Sequence, residues 1–130
     1  MDIVGNFLSQ INNAYLAGKE KVKTPWSKFR EALAKIILKE GYLGKVETEK
    51  VDKVKKNLVL TLKYTSDQQP IVTKIKRVST PGRRVYLSAD KLPFTFGGAG
   101  STIISTSTGL TTAKKAKAKN IGGEVICQIY

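Results

Sequence analysis

The spacing of apolar residues changes along this chain from a helical period to an alternating one, and this change constrains the fold more than any other feature. Over residues 3–16 and 27–40 apolar side chains recur every three or four positions, which predicts two amphipathic helices. Gly18 and Gly41 follow the two patterns, and glycine is typical just past a helix end. From residue 42 onward, alternating apolar and polar residues predict strands.

The remaining predicted elements are short and separated by turn residues. The predicted strands lie at residues 21–23, 45–51, 58–64, 71–78, 84–87, 101–105 and 124–130. Residues 65–70 have the composition of a loop, so we place a lobe boundary there. Residues 114–119 predict one or two exposed helical turns.

Basic residues outnumber acidic ones by 23 to 10 among 130 residues, which gives a formal net charge of +13. Such a chain is attracted to polyanions, so nucleic acid, an anionic membrane surface and an acidic protein are the candidate partners. No apolar run approaches the roughly 18 residues that span a bilayer. The first residues lack the basic stretch of a signal peptide, and neither membrane insertion nor secretion is predicted.

A single cysteine, Cys127, and the absence of histidine limit the available chemistry. One cysteine cannot form an internal disulfide, which is typical of a reducing compartment. Without histidine the chain lacks the commonest general base and the commonest metal ligand, and Ser105 and Ser107 have no histidine to activate them. We therefore predict no enzyme, no cofactor and no metal site. Cys127, within an apolar segment, is predicted to be buried and inert.

Three clusters of basic residues are candidates for contact with phosphates. The clusters are Lys53, Lys55 and Lys56; Lys74, Lys76, Arg77, Arg83 and Arg84; and Lys114, Lys115, Lys117 and Lys119. One cluster alone is more typical of a solvated surface. Three clusters with few acidic residues nearby favour nucleic-acid binding, because each Lys or Arg that contacts a phosphate releases a counterion.

Residues 101–112 are rich in hydroxyl groups, since eight of the twelve positions are Ser or Thr. Hydroxyls suit phosphate, sugar and base edges alike, and Gly109 allows the backbone to approach a ligand. An RNA-contacting loop at residues 105–109 and an ordinary Thr-rich strand and turn explain this segment equally well.

Among the aromatic residues, only Tyr86 is a candidate for contact with RNA. Tyr86 follows two arginines and can stack on a base or a sugar, but a buried place in a strand is somewhat better supported by the sequence. Trp26, Phe94 and Phe96 are predicted to be packing residues.

The segment Gly122-Gly123-Glu124 precedes the last predicted strand, and its spacing alone favours a simple turn. A carboxylate close to RNA would accept a hydrogen bond from a base amino group or a ribose 2′-OH. Glu124 is predicted either to do this or to pair with Lys117 or Lys119.

Several segments, spread nearly from end to end, carry a resemblance to a known family. They are Ile11-Asn12-Asn13-Ala14, Pro25-Trp26-Ser27-Lys28, Glu40-Gly41-Tyr42, the run from Arg77 to Tyr86, Leu92-Pro93, Ser105-Thr106-Ser107-Thr108-Gly109-Leu110 and Gly122-Gly123-Glu124-Val125-Ile126-Cys127. In this order and spacing they resemble the bacterial or organellar type of ribosomal protein S8. The Ser-Thr-Ser-Thr-Gly segment is the most specific of them. Asn12 stands where the family commonly has Arg.

The resemblance implies an α+β fold with two lobes. The expected N-terminal lobe, residues 1–67, carries two helices on a small β-sheet. The expected C-terminal lobe, residues 68–130, is mainly β with a short helix and binds RNA.

The resemblance also implies a function. The chain is expected to be a structural, primary rRNA-binding protein that binds an irregular helix in the central domain of small-subunit rRNA and helps to assemble the platform. The alternative is a translational repressor that binds its own operon mRNA through the same surface. Neighbouring small-subunit proteins are the other expected partners, and the expected location is the cytoplasmic small subunit, with an organellar ribosome as the alternative.

The residues expected to contact RNA share positions in or near the matching segments and the basic clusters. They are Tyr86, Ser105, Thr106, Ser107, Thr108, Gly109, Gly122, Gly123 and Glu124, with Lys28, Lys55, Arg83, Arg84, Lys114, Lys115 and Lys117 as basic candidates.

Overall fold

The computed structural model describes residues 3–89 and 100–130. Phe94, Phe96 and the Leu92-Pro93 motif lie outside these ranges. The chain divides into two compact units, which we call the N-terminal unit (Asn6–Val72) and the C-terminal unit (Thr73–Tyr130, with the start of the chain up to Gly5). The lobe boundary placed after residue 67 lies a few residues before this division.

Local signals set the ends of the two helices that the N-terminal unit contains, α2 (Lys28–Lys39) in full and α1 (Ile3–Leu16) from Asn6 onward. The Ser27 hydroxyl accepts a hydrogen bond of 3.1 Å from the backbone N–H of Arg30, which satisfies one of the free donors at the start of α2. After α2, Gly41 adopts a φ of 89°, a left-handed conformation that glycine takes without strain and that ends the helix.

Three antiparallel strands complete the N-terminal unit: β1 (Lys21–Pro25), β2 (Lys45–Lys50) and β3 (Lys56–Thr61), in the order β1-β3-β2. Burial alternates along β1, whereas β3 buries the consecutive residues Leu58, Val59 and Leu60, and α2 packs on β2 and β3. The buried side chains of this layer include Val22, Thr24, Leu33, Ile37, Leu58 and Leu60. The outer strand β1 therefore has one buried face, and the central strand β3 is covered on both.

The C-terminal unit is built on a second antiparallel sheet. Its elements are β4 (Ile75–Arg77), β5 (Tyr86–Leu87), β6 (Ser101–Thr106), β7 (Gly109–Thr112), α3 (Ala113–Ala118) and β8 (Gly123–Ile129). The strand order is β4-β8-β6-β7, and β5 also pairs with β8. One side of β8 therefore carries β5 and β4 in succession, and the other side carries β6.

The predicted α+β fold is confirmed, with differences in its strands: β3 ends at Thr61 and not at Tyr64, and β5 keeps only Tyr86 and Leu87 of the predicted residues 84–87. β7 was not predicted, because its four residues include a single large apolar side chain, Leu110, and so show no alternation. The predicted strand at residues 71–78 shortens to β4. Its first residue, Ile71, donates its backbone N–H to the carbonyl of Lys63 at 3.1 Å, within the N-terminal unit and outside the sheet that contains β4.

Two single residues show how far burial follows from the sequence. Cys127 is fully buried, as predicted, and burial raises the pKa of its thiol to about 12. Trp26, predicted to pack inside, is instead 36% exposed, just beyond the end of β1. No helix in the described ranges is long and apolar enough to cross a membrane.

A buried hydroxyl in β1 generates a prediction about stability. Thr24 is 2% exposed, and its hydroxyl has no hydrogen-bond partner among the described residues. Because Thr24→Val removes this unpaired polar group and keeps the β-branched shape, we expect it to raise the free energy of unfolding by about 1 kcal/mol. Urea denaturation of both proteins measures the change.

The matched control is Thr112→Val. The Thr112 hydroxyl accepts a hydrogen bond of 3.3 Å from the backbone N–H of Lys115 at the start of α3, so its loss should lower stability by about 1 kcal/mol. If Thr24→Val were as destabilising as the control, the Thr24 hydroxyl would have a partner in solution.

Candidate nucleic-acid interface

Three predicted RNA contacts form a row across the C-terminal sheet. Tyr86 of β5 pairs with Glu124 of β8, and Glu124 pairs with Ser105 of β6. Directly opposed residues of antiparallel strands have Cα atoms about 4.5 to 5.5 Å apart and side chains on the same face. The row therefore places a phenol ring, a carboxylate and a hydroxyl next to one another.

A β-bulge creates this alignment. Ile103 pairs with Cys127 but Ile104 pairs with Val125, so Ile126 is an extra residue in β8. Without it, the ladder would continue from Ile103 and place Ser105 opposite Val125. The bulge brings Ser105 opposite Glu124.

The two faces of the sheet differ sharply in burial. Tyr86 is 68% exposed, which contradicts a place in the core and leaves its ring free for stacking. The neighbouring residues Val85 and Leu87 point to the other face, where they pack against a buried cluster. That cluster comprises Ile104, Ala113, Ala116 and Val125. The row thus lies on the solvent side of strands whose other side forms the core.

An ion pair positions the carboxylate within the row. The Arg84 guanidinium Nη1 lies 3.1 Å from Glu124 Oε2, and the Glu124 side chain is only 14% exposed. The lysines Lys117 and Lys119, which the sequence suggested as partners, are not the ones that bind it. Residues 84 and 124 are forty positions apart, so no local pattern in the sequence could indicate this contact.

Hydrogen bonds hold the turn that carries Arg83 and Arg84 into β5. Thr80 and Arg83 exchange backbone hydrogen bonds of 2.9 and 3.0 Å around the Pro81-Gly82 turn predicted by the sequence. The buried Ser79 hydroxyl accepts a hydrogen bond of 3.0 Å from the backbone N–H of Val85. Sequence reasoning missed the supporting role of Ser79, although its place beside the Pro-Gly turn is a usable signal.

Residues 105–109 form a tight hairpin, not an open loop. Ser105 and Thr106 end β6, Gly109 begins β7, and only Ser107 and Thr108 connect the strands. Gly109 has a φ of 119°, which other residues rarely adopt. The strand-and-turn alternative therefore describes the backbone, and the two connecting residues are exposed at the tip.

The hydroxyls of this hairpin are not equivalent. The Thr106 hydroxyl donates to the Gly109 carbonyl at 2.8 Å and accepts from the Thr108 backbone N–H at 3.2 Å, so the turn itself uses it. The Ser107 hydroxyl is exposed and makes no hydrogen bond to any residue described in the structure. Ser107 is the hydroxyl best placed to bind a ligand.

Comparison with known proteins now adds to this geometry. The family model described as ribosomal protein S8 matches residues 2–130. The protein named small ribosomal subunit protein uS8 of Trichormus variabilis is 41% identical to this chain, covering 99% of the chain and 97% of that protein. The proteins of the same name from Nostoc punctiforme and Caldanaerobacter subterraneus are 42% and 43% identical over the same shares.

The chain belongs to the ribosomal protein S8 family. The resemblance inferred from the motifs is confirmed. S8 proteins are structural small-subunit ribosomal proteins, and this member is not an enzyme, as the sequence predicts.

The remaining basic candidates of this S8 protein belong to elements other than those that form the row. Helix α3 buries Ala113 and Ala116 against the core face, so its lysines project from the helix's exposed side and not from the face that carries Tyr86. Lys28 begins α2 and Lys55 lies in the β2–β3 turn, both exposed in the N-terminal unit. Within residues 3–89 and 100–130, no three Cys, Asp or Glu side chains converge as metal ligands would.

Close backbone contacts explain the two glycines before Glu124. A Cβ atom on Gly122 would lie 2.5 Å from the Leu87 carbonyl oxygen, and one on Gly123 would lie still closer to the carbonyl oxygen of Ser105. Both glycines therefore let β5 and β6 approach β8. In this S8 protein their role is to pack the row together.

This packing generates a second prediction. Gly123→Ala should lower the free energy of unfolding by about 1 to 3 kcal/mol, because the new methyl group collides with the backbone of β6. Gly82→Ala is the matched control, since open space surrounds Gly82 and its φ is not left-handed; it should be neutral or slightly stabilising. Thermal melts compare the variants, and equal stability for both would contradict the close approach.

Proposed function

We propose that this S8 protein is a structural constituent of the small ribosomal subunit whose C-terminal unit binds an irregular helix in the central domain of the rRNA. This binding would help to assemble the platform of the subunit. The observation that carries the proposal is the row of Tyr86, Glu124 and Ser105, in which the Tyr86 ring is exposed and the half-buried Glu124 carboxylate is paired with Arg84.

The row offers stacking and hydrogen-bonding groups suited to reading RNA. Tyr86 presents a ring on which an unstacked base or a sugar can pack. Ser105 and Ser107 supply hydroxyls that donate to phosphate or accept from a 2′-OH. Glu124 can only accept when ionised, so it selects a base amino group or a 2′-OH. Arg84 offsets the repulsion between this carboxylate and nearby phosphates.

The basic residues supply attraction with little discrimination. Lys114, Lys115 and Lys117 are lysines on a short helix, and an ammonium group binds phosphate as a point charge without the two-pronged geometry of arginine. Lys28 would add a phosphate contact from the N-terminal unit. We therefore assign affinity mainly to the lysines and specificity mainly to the row and the hairpin.

The same surface supports the second candidate function, repression of the protein's own operon mRNA. An mRNA helix that imitates the rRNA site would meet the same row, so the two RNAs would compete for one protein surface. The bacterial organisms of the relatives support a cytoplasmic ribosome as the location.

A single hydroxyl tests the proposed specificity. We expect Ser107→Ala to weaken binding to the central-domain helix by roughly fivefold to a hundredfold, because a partner left unsatisfied in a closed interface costs about 1 to 3 kcal/mol. Binding to a random duplex RNA should barely change, and so should the dependence of affinity on salt, because no charge is removed. Filter binding of both RNAs at two salt concentrations gives the comparison.

Ser66→Ala is the matched control, because Ser66 is also an exposed turn serine but lies in the N-terminal unit. A thermal melt confirms that each variant is folded. Unchanged affinity of a folded Ser107→Ala protein for the cognate helix would remove the hairpin from the interface.

The lysines of α3 are tested by a charge-removing double change. Lys114→Ala with Lys117→Ala should weaken binding to cognate and random RNA about equally, since each lysine contacts phosphate. The plot of log K against log salt should become shallower by up to about two, because each lost phosphate contact removes about 0.9 from the slope. A change in the ratio of cognate to random affinity would show that these lysines read the RNA's shape or bases.

A further inference from the structure

The turn that joins β2 to β3 is rigid although it lies on the surface. The Asp52 carboxylate Oδ1 accepts backbone hydrogen bonds from Val54 at 2.8 Å and Lys55 at 2.6 Å. The Val51 N–H donates to the Lys55 carbonyl at 3.0 Å and closes the turn. The two hydrogen bonds lower the pKa of Asp52 below its ordinary value. At neutral pH this carboxylate is ionised and committed to the turn.

Apolar side chains are exposed on this rigid turn. Val54 is 88% exposed and Val51 is 58% exposed, although valine is ordinarily among the most buried residues. Together with Trp26 and Pro25 they line a groove of about 560 Å³, which we call the turn groove. Exposed valines contribute little to folding, and a contiguous apolar patch is typical of a contact surface.

The indole of Trp26 is fixed in the wall of this groove. Its Nε1–H donates to the Glu31 carboxylate, and the Lys56 ammonium lies 4.7 Å from the ring centroid, within the range of a cation–π contact. One face of the ring is therefore already occupied. A partner would meet a preformed surface and would lose less conformational entropy on binding.

The rim of the turn groove is basic. Lys55 and Lys56 are exposed and line it, whereas Asp52, the acidic side chain of the turn, accepts hydrogen bonds from its own backbone. The Glu31 carboxylate beside Trp26 is already paired with Lys35. A partner that fits must therefore combine an apolar side chain with negative charge. Both RNA and an acidic protein segment carry negative charge, and the apolar surface distinguishes them.

We propose that the turn groove docks an acidic segment of a neighbouring small-subunit protein, with one apolar side chain of that segment seated against Val51, Val54 and Trp26. Bases recognised by stacking need aromatic or guanidinium planes. The exposed valines offer none, and Lys56 covers one face of the indole. Aliphatic surface is matched by aliphatic surface, and the lysine rim by carboxylates. The inference rests on the proposed place of the chain in the small subunit.

Site-specific crosslinking in reconstituted small subunits tests the docking. Val54 is replaced by a diazirine-bearing amino acid, which inserts into protein and RNA alike, and the same replacement at Ser66 is the control. After irradiation, mass spectrometry identifies the attached segment. We expect the position-54 probe to attach to one protein segment that contains an apolar residue flanked by Asp or Glu, and the position-66 probe not to attach to that segment.

A crosslink from position 54 to rRNA, to a segment without acidic residues, or to nothing would overturn the proposal, provided that the protein has entered the subunit. Failure of the unmodified protein to enter subunits would instead contradict the proposed function.

A double variant gives an independent measure. Val51→Ser with Val54→Ser should fold normally, because both side chains are exposed, and should bind the central-domain helix as the wild type does. In assembled subunits that contain the double variant, the neighbouring protein identified by crosslinking should bind at least about tenfold less tightly than it does with the wild type. Two apolar contacts are lost. Unchanged retention would also overturn the proposal.

Discussion

The bulge at Ile126 is the constraint on which the C-terminal unit depends. A strand has a period of two, so shifting its register by one residue moves every side chain to the opposite face. With the extra residue, Val125 faces the core beside Ile104, and Glu124 faces solvent beside Ser105. Burial in the apolar core fixes the pairing of Val125 with Ile104. This pairing in turn places Glu124 opposite Ser105. The site geometry is thus a consequence of packing on the other side of the sheet.

The glycines and the ion pair depend on the same register. Gly123 lies against the Ser105 carbonyl only because β6 is held close to β8, and a side chain there would push the two strands apart. Arg84 reaches Glu124 only because β5 pairs with the first residues of β8. Backbone pairing therefore holds together polar residues from three separate segments. The Arg84–Glu124 salt bridge then positions the carboxylate. Such a site should be rigid, since its supporting hydrogen bonds are those of the sheet.

The parts of this molecule that sequence could predict are those whose signals are local. Helix α2 has its cap at Ser27 and its terminating Gly41 close to its ends in the sequence. Both helices follow from the spacing of their apolar residues and from the residues that end them. Strand β7 was missed because its one large apolar residue gives no period. Tyr86 was misjudged because alternation cannot tell which face of a two-residue strand is buried.

The candidate site shows the same limit. Residue types in the hairpin indicated hydroxyl chemistry, but sequence could not separate Thr106, whose hydroxyl serves the turn, from Ser107, whose hydroxyl is available. That distinction depends on the short turn, in which only Ser107 and Thr108 connect the two strands. Nor could it identify Arg84 as the partner of Glu124, since strand pairing brings together residues that are distant in the chain. The family motifs located the segments, and the fold separates the polar groups that are used internally from those that are exposed.

The distribution of charge completes the physical argument for a polyanion partner. Residues 73–130 contain ten Lys or Arg but only two acidic residues, whereas residues 1–72 contain thirteen and eight. In the N-terminal unit several carboxylates are paired: Glu31 with Lys35, Glu47 with Lys45 and Glu49 with Lys23.

The C-terminal unit has almost no carboxylates with which its cations can pair internally. The positive charges of this unit repel one another in the free protein. Phosphates bound beside them would reduce this repulsion. The unit that carries the Tyr86–Glu124–Ser105 row is therefore also the one whose electrostatics most favour RNA.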